Sequence, residues 1–156
     1  MRRAGLITAA ALEAVRNAIQ PGISTLELDA IAEKTIIGLG GKSNFKLVPG
    51  YFHTICASIN DEVVHGIPSA DRILQAGDIV SIDAGAIIDG WNGDSAITVV
   101  VPGGEHKISA ARERVSRVTE MSLWHGIAAL AKGKRLNDVG TAIEKYVMSQ
   151  GKFGIL

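Results

Sequence analysis

The sequence predicts an α+β fold in which an antiparallel sheet is covered on one face by helices. Three observations lead there. Apolar residues recur at helical spacing at both ends of the chain, β-branched runs bounded by turn residues fill the middle, and no repeat or linker separates the two.

The first helix is expected from Arg3 to Ile19, stopped by Pro21 and Gly22. A second starts at Ser24 or Thr25. Ser24 with Glu27 fits a capping box, Leu28, Ile31, Ala32 and Thr35 share one face, and Gly38, Gly40 and Gly41 end it. The irregular stretch "KSNFKLVPGYFH" then leads into a strand, "TICASIN". "DEVVHGIP" reads as a turn and a short extended piece closed by Pro68. "LQAGDIVSIDAGAII" predicts a turn at 76–78 and then a long strand. "DGWNGD" is turn-rich, and "SAITVVV" is a further strand ended by Pro102-Gly103-Gly104. The period then changes to 3.6: Ile108, Ala111, Val115, Val118 and Ser122 predict a long helix reaching Ala131. A last helix is expected from Asn137, as its cap, to Ser149, with Gly151 ending it. "KFGIL" resembles the beginning of another strand with nothing behind it, a hint that the sequence is incomplete.

Composition bounds the function. Of 156 residues 47% are hydrophobic, enough for a packed core. Sixteen basic and sixteen acidic residues cancel, which argues against a generally basic nucleic-acid binder. Cys56 is the single cysteine, so no intrachain disulfide can form, and a cytoplasmic setting fits. Two arginines ahead of "AGLITAAALEA" superficially resemble a secretory signal, but Glu13 and Arg16 fall at helical spacing and favour an amphipathic helix. No run approaches the roughly 20 apolar residues of a membrane span.

Within "SIDAGAIIDGWNGDSAI", Asp83 and Asp94 interrupt two apolar runs. If the flanking strands form a hairpin with a two-residue loop, parity puts both carboxylates on one face. A loop at Ile88-Asp89 sets them directly opposite. A loop at Asp89-Gly90, the stronger turn pair, sets Asp94 opposite Gly85 and diagonal to Asp83. Two carboxylates so close must share a proton or bind a cation. Glycines 85, 90 and 93 leave room for close backbone approach and for a ligand above the sheet. Asp78 and Asp89 each adjoin a glycine and read as turn formers. His53, His106 and His125 lack ligand-like spacing and read as surface or helix-face residues; His65, between rigid turn elements at a strand end, stands apart.

"ICASINDEVVHGIP" followed by "LQAGDIVSIDAGAIIDGWNGDSAIT" resembles the type I methionine aminopeptidases of the pita-bread (creatinase/aminopeptidase) fold. "MRRAGLITAAALEAV" and "PGISTLELDAIAE" extend the match over essentially the whole chain, in wording closest to actinobacterial members. The resemblance implies a metal-dependent enzyme that removes the initiator methionine from nascent polypeptides whose second residue is small. It implies two divalent ions (Co, Mn, Fe or Zn), with Asp83 chelating one and Asp94 bridging both. It further implies that His65 contacts the substrate near the scissile amide, and that Tyr51 and Cys56 line or adjoin the methionine pocket. The implied partners are nascent N-termini near the ribosome, with no nucleic acid or membrane, and the expected state is a monomer.

Three departures qualify the resemblance. The family's Gly-His-Gly-Ile-Gly motif and two later glutamates are not in this sequence, so residues 1–156 are expected to form a single incomplete catalytic domain with the C-terminal half largely missing. Val48 and Pro49 stand where the family carries a tyrosine and a histidine. Met1 aligns with an internal Met-Arg of the family. The chain alone is therefore expected to be inactive and weakly stable or aggregating. A truncated non-catalytic binding module and an Xaa-Pro peptidase relative are the alternatives.

Overall fold

The computed structural model describes residues 1–155. It contains helix α1 (Arg2–Ala18), α2 (Thr25–Gly38), strand β1 (Lys42–Ser43), a 3-10 turn (Phe45–Leu47), β2 (Ile55–Ile59), β3 (Ile79–Ile88), β4 (Trp91–Val100), α3 (His106–Lys132) and α4 (Asn137–Ser149). The chain divides into two compact units, Met1–Ser109 and the residues from Ala110 onward.

In the first unit β3 is the spine of an antiparallel sheet. β4 pairs along its whole length on one edge, and β2 and β1 follow one another along the other. Alternation along β3 sorts the faces. Val80, Ile82, Ala84, Ala86 and Ile88 are buried toward the helices, whereas Ser81 and Asp83 point to the opposite, open face. Leu12, Val15 and Ile19 near the end of α1, and Leu28 and Ala32 of α2, join Ile55, Ala57, Val80, Ile82 and Ala84 in the core. Ala4, Ile7, Ala11 and Ile36 extend it over Ala86 and Ile88.

The local signals act as expected at α2. The Ser24 hydroxyl accepts from the Glu27 backbone N–H, and the Glu27 carboxylate accepts from the Ser24 backbone N–H. The Ser24 hydroxyl also donates to the Glu27 carboxylate (2.6 Å), and this bond, with that from the Ser24 backbone N–H, holds the exposed Glu27 carboxyl below its usual range. The buried stripe of α2 is Thr25, Leu28, Asp29, Ala32 and Ile36, with Ile31 packed at its margin.

Several expectations are corrected. The turn in "DGWNGD" is confined to Asp89-Gly90, because both residues adopt positive φ (52° and 78°) and close a two-residue hairpin; Trp91 to Asp94 are already strand. Gly93 does not leave room for a ligand. It faces α1, where an added Cβ would lie 2.6 Å from the backbone of Ala4 and Gly5.

In the second unit Asn137 is not a cap. Leu136 precedes the helix, no side chain caps it, and Asp138 instead accepts from the backbone N–H groups of Lys134 and Arg135. On α3 the buried positions are Val118, Ser122 and Gly126, while Ile108, Ala111 and Val115 are exposed. Gly126 is the close approach to α4: an added Cβ would sit 3.0 Å from Ile143. "KFGIL" forms no strand over 152–155, where Phe153 lies under the Arg114 guanidinium; Leu156 is outside the described residues.

Candidate metal centre and binding cleft

The hairpin register decides the carboxylate geometry. Ile88 pairs with Trp91, so Gly85 lies opposite Asp94 and Asp83 opposite Ala96. Asp83 and Asp94 are thus diagonal neighbours on the open face, with Cα atoms about 7–8 Å apart for such a pair. Burial pushes the Asp83 carboxyl above the usual range and the Asp94 charge adds to this; His65 and the Ala84 backbone N–H oppose it. No lysine or arginine among the described residues forms an ion pair with either aspartate. Their donor chemistry fits a hard or borderline divalent cation. It does not complete a coordination shell: among the described residues no group of three or more His, Cys, Asp or Glu side chains could hold a metal ion.

His65 reaches this face from a loop rather than from a strand end. Its φ is +59°, a conformation that non-glycine residues seldom adopt. The loop is fastened on both sides of it. Glu62 accepts from the Ile59 backbone N–H and pairs with Arg72, whose guanidinium also donates to the Ile67 carbonyl. Gly66 exchanges bonds with β2, accepting from the Ala57 N–H (2.8 Å) and donating to the Ser58 hydroxyl (3.1 Å). A Cβ at Gly66 would overlap the Ala57 carbonyl, so only glycine permits this approach. His65 is therefore exposed yet backed by a rigid frame.

An apolar wall faces the carboxylates. Tyr51 donates from its hydroxyl to the Ile55 carbonyl (2.6 Å) and lies 3.2 Å from the Cys56 sulfur. Its ring meets Phe45 and His53 edge to face. Burial pushes both the Tyr51 hydroxyl and the Cys56 thiol upward. Cys56 pairs with Asp83 in the ladder, which brings its side chain to the same face. Phe45, Val48, Tyr51, Cys56 and Ile67 line a cleft of about 530 Å³ that also takes in His65, Asp83 and Asp94. All five sequence-predicted site residues thus meet in one cleft. Val48 lines it; Pro49 does not.

Two groups were not foreseen. Asp29, buried on α2, accepts from the backbone N–H groups of Thr54 (2.7 Å) and Ile55 (2.9 Å), and its other oxygen lies 3.4 Å from His53 Nδ1. It fastens the Tyr51 segment to the helix, and gives His53 a half-buried place in the site's support rather than a surface one. A carboxylate in phase with Thr25, Ala32 and Ile36 was the available signal. Asn44 is the other. Its amide occupies the space over Gly85, which the sequence reading assigned to a ligand.

Residues 1–155 match the model of metallopeptidase family M24. The chain belongs to that family. Methionine aminopeptidase 1 of Mycobacterium tuberculosis is 52% identical over 144 residues, 92% of this chain and 53% of the relative. The crystal structure of methionine aminopeptidase from Thermotoga maritima superposes with a TM-score of 0.85 at 35% identity, over 96% of this chain and 58% of that one. A prolidase from Pyrococcus furiosus shares the fold at 20% identity (TM-score 0.76) over 96% of this chain and 41% of the prolidase. The chain therefore spans little more than half the length of the methionine aminopeptidases it matches. Membership in M24 bears out the pita-bread α+β expectation, and a metallopeptidase family implies a divalent metal cofactor. Among the described residues no helix is long and apolar enough to cross a membrane.

Proposed function

We propose that this chain is the part of a methionyl aminopeptidase that carries two metal-binding carboxylates and the methionine pocket, an incomplete catalytic domain over residues 1–156. The substrates are nascent cytoplasmic polypeptides, near the ribosome, whose initiator methionine precedes a small residue. The observation that carries this reading is the juxtaposition of Asp83 and Asp94, with no lysine or arginine among the described residues paired to either, and an apolar wall across one cleft. Methionine aminopeptidases at 35–52% identity support the choice of substrate.

Asp83 and Asp94 would hold the metal, two ions of Co, Mn, Fe or Zn. When bound, such ions supply Lewis acidity toward a carbonyl and a nucleophile at neutral pH. The chain's own residues do the rest. Phe45, Val48, Tyr51 and Ile67 offer an apolar surface for an unbranched thioether side chain. His65, held by its loop, presents an imidazole toward the amide that would be cleaved. Tyr51 and Cys56 keep their protons at neutral pH and serve as neutral wall, because burial raises both.

A second reading, a non-catalytic binding module of the same fold, is favoured by the incomplete donor set. Hydrolysis of a Met-Ala-Ser peptide with added Mn²⁺ or Co²⁺ separates the two, assayed on the gene product isolated from its own organism. Release of methionine that Asp83→Asn and Asp94→Asn both abolish supports the enzyme. Methionine-peptide binding without release supports the module.

A further inference from the structure

We infer that Asn44 is a positioning residue for side-chain recognition: its amide sets the distance between the apolar wall of the cleft and Asp94. The inference rests on the aminopeptidase reading of the cleft and adds to it a residue outside the cleft lining.

Three observations converge on Asn44. Its backbone continues the β1 ladder: Lys42 pairs with Ile87, Ser43 with Ala86, and the Asn44 N–H donates to the Gly85 carbonyl (3.3 Å). Parity therefore puts its side chain on the open face with Asp83 and Asp94. Second, that side chain fills the place of the one missing at position 85. A Cβ on Gly85 would overlap Asn44 Oδ1 and lie 2.7 Å from its Cγ and Nδ2. Gly85 is directly opposite Asp94, and facing Cβ positions are about 5 Å apart, so the amide stands next to the place on β4 from which Asp94 projects. Third, Asn44 Nδ2 donates to Asn92 Oδ1 (3.2 Å), on the same face of β4 two residues before Asp94.

Asn44 is thus held to both strands that carry the aspartates. It is followed directly by Phe45, whose ring meets Tyr51 edge to face, and the turn that starts there delivers Val48 to the cleft. Asn44 Oδ1 is itself buried and unpaired. That oxygen gains no hydrogen bond where it lies over Gly85. The amide is a strut whose gain is the geometry of its neighbours.

The test compares Asn44→Ala with the unmodified protein, both prepared as the gene product its own organism makes. Backbone amide spectra follow three separate titrations: Mn²⁺, L-methionine amide and L-alanine amide. The two amides share every polar group, and only one has a side chain that reaches the wall. The expected result is roughly a three- to tenfold weaker affinity for methionine amide. Alanine amide affinity and the Mn²⁺ broadening around Asp83 and Asp94 should be unchanged. Equal loss for both amides, or no loss for either, overturns the inference, as does an unmodified chain that does not prefer methionine amide. Failure of Mn²⁺ to broaden Asp83 and Asp94 in the unmodified chain overturns the metal-site reading instead. Should Asn44→Ala lose its dispersed spectrum, Asn92→Ala removes the acceptor while leaving the amide on Gly85, and must show the same selective loss.

Discussion

Asp29 offers the sharpest test of how the cleft is built. Its side chain is 7% exposed, and a single oxygen, Oδ1, accepts from two backbone N–H groups at the entrance to β2. Asp29→Ala leaves the Thr54 and Ile55 donors unpaired in residues that are fully buried. Hydrogen bonds to a charged acceptor contribute about 1.5–3 kcal/mol each, partly offset by relief of the carboxylate's own burial, so the net loss should be about 3–5 kcal/mol. Asp29→Asn keeps Oδ1 and both bonds while surrendering the charge, and should cost only about 1 kcal/mol. Urea unfolding followed by circular dichroism measures both. Alkylation of Cys56 reports the local consequence, because the released segment carries Tyr51 off its sulfur. An alanine variant that loses less than about 1 kcal/mol, or an asparagine variant as damaged as the alanine one, would refute this account.

Other expectations follow the same contacts. Gly93→Ala forces α1 off the sheet and should destabilise by about 1–3 kcal/mol, whereas Gly5→Ala, in open space within α1, should stabilise by about 0.5–1 kcal/mol; thermal melts of the pair read opposite signs. The Cys56 thiol is raised by burial, so the unfolded chain ionises first and native stability must fall as pH climbs above the ordinary thiol range near 8.5. Cys56→Ala should flatten that alkaline slope in urea titrations at successive pH values. Phe52, Val63 and Val64 are 80%, 65% and 64% exposed, so the chain by itself should elute from a sizing column as associated species, and Val64→Lys should raise its monomer fraction. A concentration-independent monomer would speak against that apolar surface being sticky.

Much of this fold is legible in the sequence because its signals are local. Ser24 and Glu27 cap α2 through their own backbone, and Asp89-Gly90 sets a hairpin whose parity alone brings Asp83 and Asp94 to one face. Apart from the Asn137 cap, whose place Asp138 takes locally, the readings that failed depend on neighbours distant in the chain. "WNGD" has the composition of a turn, yet pairing with β3 holds it as strand. Gly85 and Gly93 look alike in sequence, but one lies under an asparagine amide and the other against a helix backbone. His65 was recognisable from its motif, though not its positive φ, which depends on Glu62, Arg72 and Gly66 closing around it.

The sequence by itself determined the order of elements, the shared face of the two aspartates and, through "NDEVVHGIP" and its companions, the family. Tertiary structure alone decided which oxygen carries the Tyr51 segment, what fills the space over Gly85, and how an exposed histidine is held still. The physical reason is range. Capping, turn geometry and strand parity act within a few residues, whereas a buried acceptor such as Asp29 takes its meaning from donors 25 and 26 positions away that only folding brings to it.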